Sequence, residues 1–224
     1  MIWAYHQNLD EAKGDDVPRL ADHEQRRREI TGAARTVIAG GGLDAATFQS
    51  VAAAARISVR TVQYYFGNKR ELLLATRRAV IEDAGARFGH RMATLGAEPS
   101  GRAALRAILI ELLPLDDARR EDSIVLDAFH TAALTGSDVA PDNTADATRA
   151  LMTIVAEQLR HERPGAPDTE LDAELIALAV AALTQSILAG MHTRESALGF
   201  VDHLLIRVLG PAPSTSQRKA HARR

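Results

Sequence analysis

The sequence predicts an all-α protein. Apolar residues recur at helical spacing along most of the chain, and no segment alternates apolar and polar residues long enough to form a strand. Glycine and proline clusters such as 40–42, 136–141 and 164–167 interrupt the helical pattern. With 224 residues, 46% of them hydrophobic, the chain is long enough for one sizeable core or two small domains.

The helical pattern becomes clear after Asp22, so the first helix is predicted to begin there. Residues 1–21 lack sustained periodicity, and we expect them to form a flexible arm. Three consecutive glycines at 40–42 should end the helix, since glycine pays the largest conformational entropy in a helix. The apolar face consists of residues at i, i+3, i+4, i+7 and i+8: Ile30, Ala33, Ala34, Val37 and Ile38.

Capping residues mark the starts of the next three helices. Thr47 is placed to cap a short helix ending near Ala55, and Ser58 to cap another through Tyr65. Such a side chain accepts a hydrogen bond from a free N–H in the first helical turn. Asn68, with Glu71 three residues later, has the spacing of a capping box for a fourth helix.

Six helices account for the rest of the predicted structure, separated by proline and glycine breaks. The tail 211–224 is polar and basic and contains proline, so we expect it to be disordered. The predicted helices are Lys69–Leu95, Ser100–Leu113, Asp116–Thr135, Asp142–Glu162, Thr169–Gly190 and Arg194–Leu209.

Charge is unevenly distributed along the chain, although the formal net charge is only −2. Residues 19–72 contain nine Lys or Arg and five Asp or Glu, whereas residues 73–210 contain thirteen and twenty. A basic small domain joined to an acidic larger body indicates nucleic-acid binding confined to one end.

Several other classes of protein are disfavoured by the sequence. The absence of cysteine excludes disulfides, thiol metal sites and thiol nucleophiles. No apolar core of a signal peptide is present near the N-terminus, and the longest apolar run, Leu175–Ala182, is shorter than the ~20 residues that span a bilayer. We therefore expect a cytoplasmic protein without a membrane partner.

Enzymatic sites are also not predicted. Gly40–Gly42 lacks the strand and the Gly-Lys-Ser/Thr of a phosphate-binding loop. His192 and Glu195 lie at i, i+3 without a second histidine at matching spacing, which argues against a metal site. No nucleophile elbow or partnered carboxylate pair is present. We expect no enzymatic activity, no cofactor and no metal.

One stretch of about 45 residues carries a set of spaced motifs. They are Arg28-Glu-Ile-x-x-Ala-Ala34, Gly42, Thr47, Val51-Ala52, Ala55-x-Ile-Ser58, Thr61-Val62, Tyr65-Phe66 and Asn68-Lys69-x-Glu-Leu-Leu73. With this ungapped spacing the chain resembles the TetR (tetracycline repressor-like) family, and Glu71–Thr76 suggests the BetI-like type. The resemblance implies a helix-turn-helix DNA-binding domain at 22–68 and a helical effector-binding and dimerisation domain at 69–210.

Two positions depart from the family pattern. Arg56 stands in the turn where the family usually has glycine; a positive φ there would cost roughly 1 kcal/mol and would place a cation beside the DNA. Gln63 stands where the family often has tyrosine, and its amide can pair bidentately with adenine, which a phenol cannot.

The resemblance also implies which residues contact DNA. Arg60 is the best candidate to recognise guanine, because its guanidinium fits O6 and N7 together. Phe66 is expected in the core and the adjacent tyrosines on the surface, although a core position for all three aromatics stays an alternative. Arg26–Arg28 contacts phosphate or forms a solvated helix start. The candidate DNA contacts are Thr47, Gln49, Ser58, Val59, Arg60, Thr61, Gln63, Tyr64, Tyr65 and Lys69.

Effector and dimer residues are implied in the larger domain. His130 lies on an otherwise apolar helix, where a buried histidine with satisfied hydrogen bonds is more common than a ligand contact. Candidate ligand residues are Phe88, Met92, Leu109, Phe129, His130, Met152, Thr184 and Gln185. Candidate dimer residues, on the last two helices, are Leu175, Leu178, Ala182, Ile187, Leu198, Val201 and Leu205.

Together these features predict a DNA-binding transcriptional regulator. We expect a repressor that binds double-stranded palindromic operator DNA as a homodimer and is released by a small-molecule effector. The alternatives are an activator or nucleoid-type DNA binder on the same fold, and a helical small-molecule-binding protein without DNA function.

Overall fold

The computed structural model describes residues 16–96, 99–137 and 144–211, with the side chains of 16–21 and 144–148 left out. Every regular element in these ranges is a helix, which confirms the predicted all-α class. The helices are α1 (Asp16–Ala45), α2 (Phe48–Ala55), α3 (Val59–Phe66), α4 (Lys69–Thr94), α5 (Gly101–Leu112), α6 (Asp117–Leu134), α7 (Thr144–Glu162), α8 (Thr169–Leu188) and α9 (Arg194–Leu209).

Most helix ends lie within two residues of the predicted positions. Thr47 and Ser58 cap α2 and α3 by accepting hydrogen bonds from the backbone N–H three residues later. Asn68 caps α4 in the same way, at 2.9 Å from the Glu71 N–H, and its side-chain amide donates back to the Glu71 carboxylate at 3.0 Å. These ends were predictable because a cap depends on neighbouring residues only.

Helix α1 differs from its prediction at both ends. It begins at Asp16 rather than Asp22, so the last six residues of the predicted arm are helical; residues 1–15 and the tail 212–224 lie outside the described residues. Helical geometry also continues through Gly40 and Gly41, breaks at Gly42 (φ 76°, ψ −178°) and resumes to Ala45. Each helical glycine costs only ~1 kcal/mol relative to alanine, which a helix with a fully buried face can offset.

The packing divides the chain into two compact units that meet between Ile81 and Glu82, within α4. This is later than the predicted boundary after residue 68, because the first turns of α4 bury Leu72, Leu73 and Val80. We call residues up to Ile81 the head and those from Glu82 the body. The head buries a small apolar core that includes Ile30, Ala34, Ile38, Val51, Val62, Phe66 and Leu72.

Helix α5 lies at the centre of the body, where seven of its twelve residues are buried. It packs on α7, α8 and α9. Its first residue, Gly101, allows a close approach to α7, because a Cβ at this position would lie 2.8 Å from the Gln158 carbonyl oxygen. The core around α5 includes Leu105, Leu109, Leu113, Val155, Leu159, Ile176, Leu183, Val201 and Leu205.

A charged cluster joins the second half of α4 to α5 and α6. The Glu111 carboxylate, 8% exposed, accepts a hydrogen bond from Arg91 Nε at 2.8 Å. Arg87 Nε lies 3.5 Å and Arg119 Nη1 3.7 Å from the same carboxylate. A second carboxylate, Asp122 on α6, accepts from Arg87 Nη2 at 2.5 Å. Three arginines therefore surround one nearly buried acid.

Asp116 extends this cluster as the N-cap of α6. It accepts hydrogen bonds at 2.9 Å from the backbone N–H and from Nε of Arg119. Burial raises the pKa of Asp116, but the hydrogen bonds from Arg119 outweigh it and hold the pKa below its ordinary value. The carboxylate that caps α6 therefore stays ionised around neutral pH.

Helix α8 keeps one apolar side uncovered. Leu171, Leu175 and Leu178 are 58–60% exposed at i, i+4 and i+7, although the helix also packs on α7 and α9. By length and composition alone, α8 could cross a membrane, with a mean hydropathy of 1.6. The expectation of no membrane partner was based on the shorter apolar run Leu175–Ala182 within this helix. One packed face and one uncovered apolar stripe are typical of a helix at an interface between chains.

Replacing Glu111 by Gln should destabilise the protein, because the variant leaves three guanidinium groups without their shared, nearly buried carboxylate. We expect a loss of about 2 kcal/mol, below the 3–5 kcal/mol of a fully buried pair since Arg91 is half exposed. This corresponds to a fall in Tm of roughly 5 °C, measurable by thermal unfolding.

Asp202→Asn is the matched control for that substitution. Asp202 also accepts from an arginine, Arg106, at 2.6 Å, but both side chains are nearly half exposed. Its loss should cost below about 1 kcal/mol. Equal losses for the two variants would contradict a special role for the Glu111 cluster.

Candidate nucleic-acid interface

Helix α2 presents its N-terminus through a complete capping box. Thr47 Oγ1 accepts from the Ser50 N–H at 3.0 Å, and Ser50 Oγ accepts from the Thr47 N–H at 2.9 Å. Val51 and Ala52 bury one side of the helix, which leaves Gln49 exposed. The exposed start of a helix with free N–H groups is suited to bind a phosphate.

The turn between α2 and α3 is held by Arg56 in the left-handed conformation, at φ 57° and ψ 43°. Arg56 is the one non-glycine residue with positive φ in the described parts of the chain. Its N–H donates to the Ala53 carbonyl, and the Ile57 N–H donates to that of Ala52, which closes the end of α2. The condition under which the sequence assigned a strain cost to Arg56 is therefore met, and the strained residue is an exposed cation.

Helix α3 is anchored by two side chains, Val62 and Phe66, which are both almost fully buried. Ser58 caps its start, and the Ser58 and Thr61 hydroxyls lie 2.8 Å apart. Because the buried residues are at i and i+4, they occupy one side, and the opposite side faces solvent. Arg60 and Tyr64 lie on that solvent-facing side, and Val59 and Gln63 are also exposed.

The three aromatics at the end of α3 have different environments. Phe66 is in the core, where the Arg27 guanidinium stacks 4.5 Å from its ring centroid. Tyr64 is 77% exposed, and half-buried Tyr65 contacts its ring edge-on at 5.2 Å and His23 at 4.7 Å. The alternative that all three are core residues is therefore wrong, and the predicted burial of Phe66 is confirmed.

Two of the three consecutive arginines on α1 have partners within the head. Arg27 Nη1 donates to the Tyr65 carbonyl at 2.7 Å, and Arg26 pairs with Glu29 at 2.6 Å. Arg27 consequently ties α1 to the end of α3. Whether Arg28 contacts phosphate stays a prediction.

All ten candidate DNA contacts are exposed or half-buried, and they lie within 23 consecutive residues of the head. Lys69 already donates to the Asp44 carbonyl at 3.2 Å, so it can exchange a surface hydrogen bond for a phosphate. Hydroxyl, amide, phenol and guanidinium groups on one short helix and its flanks are the donors that protein–DNA interfaces use.

Four of the candidate effector residues have different environments. Leu109 and Phe129 are 1% exposed and belong to the core. His130 is exposed rather than buried, because the buried positions of α6 fall on another side of that helix. Gln185 is also exposed and donates to Asp127 at 3.0 Å.

A cavity of about 550 Å³ lies elsewhere in the body, between the second half of α4, the end of α5 and the start of α6. None of the eight candidates lines it. Sequence reasoning missed its residues because the effector candidates were mainly apolar side chains; the arginines at i, i+4 on α4 were the available signal. The lining residues are Ala86, Arg87, His90, Arg91, Thr94, Glu111, Asp116 and Arg119.

The candidate dimer residues divide into two groups. Leu175, Leu178 and Ala182 are exposed on one stripe of α8, and Leu198 is half-buried. Ile187, Val201 and Leu205 are instead buried in the core of their own chain, which corrects their assignment to an outer face. The exposed apolar residues that sequence reasoning missed are Leu171, Phe200 and Ile206.

No group of three or more potential metal ligands is present among the residues that the structure describes. The head carries an exposed surface of hydrogen-bonding groups, and the body carries a charged cavity.

Family comparisons agree with this architecture. A model described as "Bacterial regulatory proteins, tetR family" matches residues 30–76, which contain the helix-turn-helix. A second, "BetI-type transcriptional repressor, C-terminal", matches residues 101–210. The chain belongs to the TetR family of transcriptional regulators.

Individual relatives extend the comparison. The "HTH-type transcriptional regulator BetI" of Paraburkholderia phymatum is 39% identical over 93 residues, 42% of this chain and 46% of that protein. BetI of Burkholderia mallei is 40% identical over 93 residues, covering 42% and 47%. The match thus spans about half the length of these relatives. Both are regulators rather than enzymes.

Solved structures share the fold over most of the chain. A transcriptional regulator from Rhodococcus sp. RHA1 has a TM-score of 0.69 at 25% identity, covering 84% of this chain and 99% of that one. A regulator from Saccharomonospora viridis, solved in complex with choline, has a TM-score of 0.71 at 20% identity, covering 81% and 96%. At 20% identity the likeness concerns the fold alone.

Arg56 allows backbone strain to be separated from phosphate contact in this TetR-family head. Arg56→Gly should raise stability by about 1 kcal/mol, because glycine adopts positive φ without steric cost. Arg56→Ala keeps the strain and should give no such gain. If the Arg56 cation contacts a phosphate, both variants should lose affinity equally and reduce the salt slope of DNA binding by about one per head.

Thermal unfolding and fluorescence anisotropy on upstream DNA at several salt concentrations provide the two measurements. Unchanged salt slopes in both variants would rule out a phosphate contact by Arg56.

Proposed function

We propose that this protein is a repressor-type regulator that binds a palindromic operator as a homodimer and releases it when a small molecule occupies the body. The observation that carries the proposal is the geometry of α3: Val62 and Phe66 anchor one side, and the opposite side is exposed and rich in hydrogen-bonding groups. A helix presented in this way fits the major groove. Such a function would place the protein in the cytoplasm with its DNA.

Specificity and positioning would come from different residues of the head. Arg60 and Gln63, both exposed on α3, carry the side chains that pair bidentately with guanine and adenine. Thr47 at the start of α2, Arg56 in the turn and half-buried Tyr65 are placed around them and would bind phosphates. This division predicts that base and phosphate contacts respond differently to substitution.

A homodimer would be formed through α8 and α9. The uncovered stripe of Leu171, Leu175, Leu178 and Ala182 on α8 and the exposed Phe200 on α9 supply apolar surface for such a contact. A two-fold symmetric pairing buries this stripe against its own copy. Two heads related by the same symmetry match two half-sites centred ~34–36 Å apart.

Release by an effector requires that the ligand favours one state of the dimer over another. Helix α4 belongs to both units and lines the 550 Å³ cavity with its second half. A ligand that shifts this half of α4 would therefore act on a continuous helix whose first half belongs to the head. The naming of the matched C-terminal family model supports repression over activation.

Arg60→Ala should weaken binding to the specific operator by about 1–3 kcal/mol, because a bidentate contact to guanine is lost. Binding to a scrambled duplex of equal length should fall much less, since only a positive charge near the backbone is lost. Anisotropy titrations with both duplexes provide the comparison. Equal loss on both would assign Arg60 to phosphate rather than to a base.

Leu178→Asp should convert the dimer into a monomer, because it places a charge in the centre of the apolar stripe of α8. Sedimentation would show the change in mass, and operator affinity should fall with it. Leu134→Asp is the matched control: Leu134 is 75% exposed, but it lies at the end of α6. A Leu178→Asp variant that stays dimeric would contradict this interface.

A further inference from the structure

The 550 Å³ cavity of the body has an unusual wall for a small-molecule site. Five of its residues, from Ala86 to Thr94, lie on one face of α4, and two of them are arginines one turn apart, Arg87 and Arg91. Opposite them are Glu111 at the end of α5 and Asp116 at the start of α6. The wall therefore contains both hydrogen-bond donors and acceptors.

The acceptors of the wall are already occupied. Glu111 Oε2 accepts from Arg91, and Glu111 Oε1 faces Arg87. Asp116 uses one oxygen for the Arg119 backbone N–H and the other for the Arg119 guanidinium. Arg119 itself is almost buried and donates also to the Ile110 carbonyl at 2.8 Å. Glu111, Asp116 and Arg119 therefore already have hydrogen-bond partners within the protein.

Donors, by contrast, remain available on Arg87 and Arg91. An arginine carries five N–H donors. Arg91 uses Nε for Glu111, and Arg87 uses Nη2 for Asp122, while Arg87 Nε is buried without a hydrogen bond. In the described part of the chain, Arg91 Nη1 and Nη2 and Arg87 Nη1 have no hydrogen-bond acceptor. Both side chains are about a third or more exposed, so these groups are accessible from the cavity.

We propose that this cavity binds a small molecule bearing a single carboxylate, held by the guanidinium groups of Arg87 and Arg91. Surplus donors recognise a ligand that supplies acceptors, and the planar fork of arginine matches a carboxylate bidentately. Three arginines and two carboxylates line the cavity, and Asp122 pairs with Arg87 outside the lining, so the wall has no large net positive charge. A monoanion suits such a wall better than a doubly charged phosphate, which half-exposed Asp116 would repel.

A quaternary ammonium ligand is disfavoured by the same residues. Recognition of such cations relies on the faces of several aromatic rings. From Glu82 to the end of the chain there is no Trp or Tyr, and the three phenylalanines are Phe88, Phe129 and Phe200. None of them lines the cavity, and Phe129 is fully buried. The proposal therefore separates this chain from the choline-bound regulator whose fold it shares.

This inference rests on the proposed function only in treating the ligand as the effector. A carboxylate bound to the unused N–H groups of Arg87 and Arg91 would share these guanidinium groups with Glu111 and Asp122 and weaken their attraction to the two acids. It would thereby loosen the ties of α4 to α5 and α6, and α4 is the helix shared with the head. Ligand binding and operator release would then be coupled.

The test measures the thermal shift of the full-length protein with sodium acetate, hexanoate and benzoate, and with sodium phosphate, choline chloride and sodium chloride at equal ionic strength. We expect at least one carboxylate to raise Tm by about 2–4 °C, as a ligand of the native state must. Phosphate and choline should match sodium chloride. A shift with choline or phosphate alone, or no carboxylate shift, would overturn the proposal.

Variants of Arg91 assign the effect to the cavity. Arg91→Gln should weaken carboxylate binding at least about tenfold, and Arg91→Lys, which keeps the charge but lacks the fork, should lie between it and the wild type. Arg160→Gln, which removes an exposed arginine paired with Glu170 outside the cavity, should bind like the wild type. Carboxylate binding that is unchanged in Arg91→Gln would place the ligand elsewhere and refute the assignment.

Operator binding by the ligand-free wild type separates this inference from the proposed function. If the protein binds its upstream DNA but no carboxylate stabilises it, the ligand class is wrong and the DNA-binding function stands. If carboxylates stabilise a protein that ignores every upstream fragment, the cavity is a carboxylate site and the repressor function is wrong.

Discussion

The burial of Val62 and Phe66 is the constraint on which the DNA-binding surface depends. An eight-residue helix is marginal by itself in water, because nucleation is costly and few hydrogen bonds repay it. In the head, α3 is fixed by these two side chains, by the Ser58 cap and by the stacking of Arg27 on Phe66. Since the anchors occupy one side, the composition of the other side is free to serve recognition.

The body uses charge where the head uses apolar anchors. Glu111 and Asp116 connect α5 and α6 with each other and with the second half of α4 through three arginines. Such a cluster is sensitive to any additional ion, because every charge in it is balanced by a neighbour. A body whose helices are joined by a few ion pairs can therefore respond to a charged ligand more readily than one joined only by apolar packing.

The fold and most helix ends were predictable from the sequence because caps and breaks are local. Thr47, Ser58 and Asn68 act within three residues of their own position, and proline and glycine end helices wherever they stand. The continuation of α1 through Gly41 was not predictable, since it depends on packing elsewhere along the helix. The family pattern marked Arg56 as a position where glycine is usual, but the positive φ itself is seen only in the structure.

The sites were predictable only where they depend on a local pattern in the sequence. The exposed side of α3 follows from its periodicity, so the candidate DNA contacts fall on the surface. Which apolar residues of α8 and α9 are buried within one chain depends on their neighbours, so Val201 and Leu205 could not be told apart from Leu178. The charged cavity was missed because ion pairs between distant helices leave no periodic pattern in the sequence.

Hydroxyl-radical footprinting of the protein on its own upstream DNA, together with dimethyl sulfate methylation of guanine N7, tests whether two α3 helices bind the duplex symmetrically. We expect two backbone patches protected from the radical, related by two-fold symmetry with centres ~34–36 Å apart, and guanine N7 protected from methylation in the major groove of each. Protection of a single patch, or no protection at low salt, would contradict a symmetric pair of α3 helices bound to DNA.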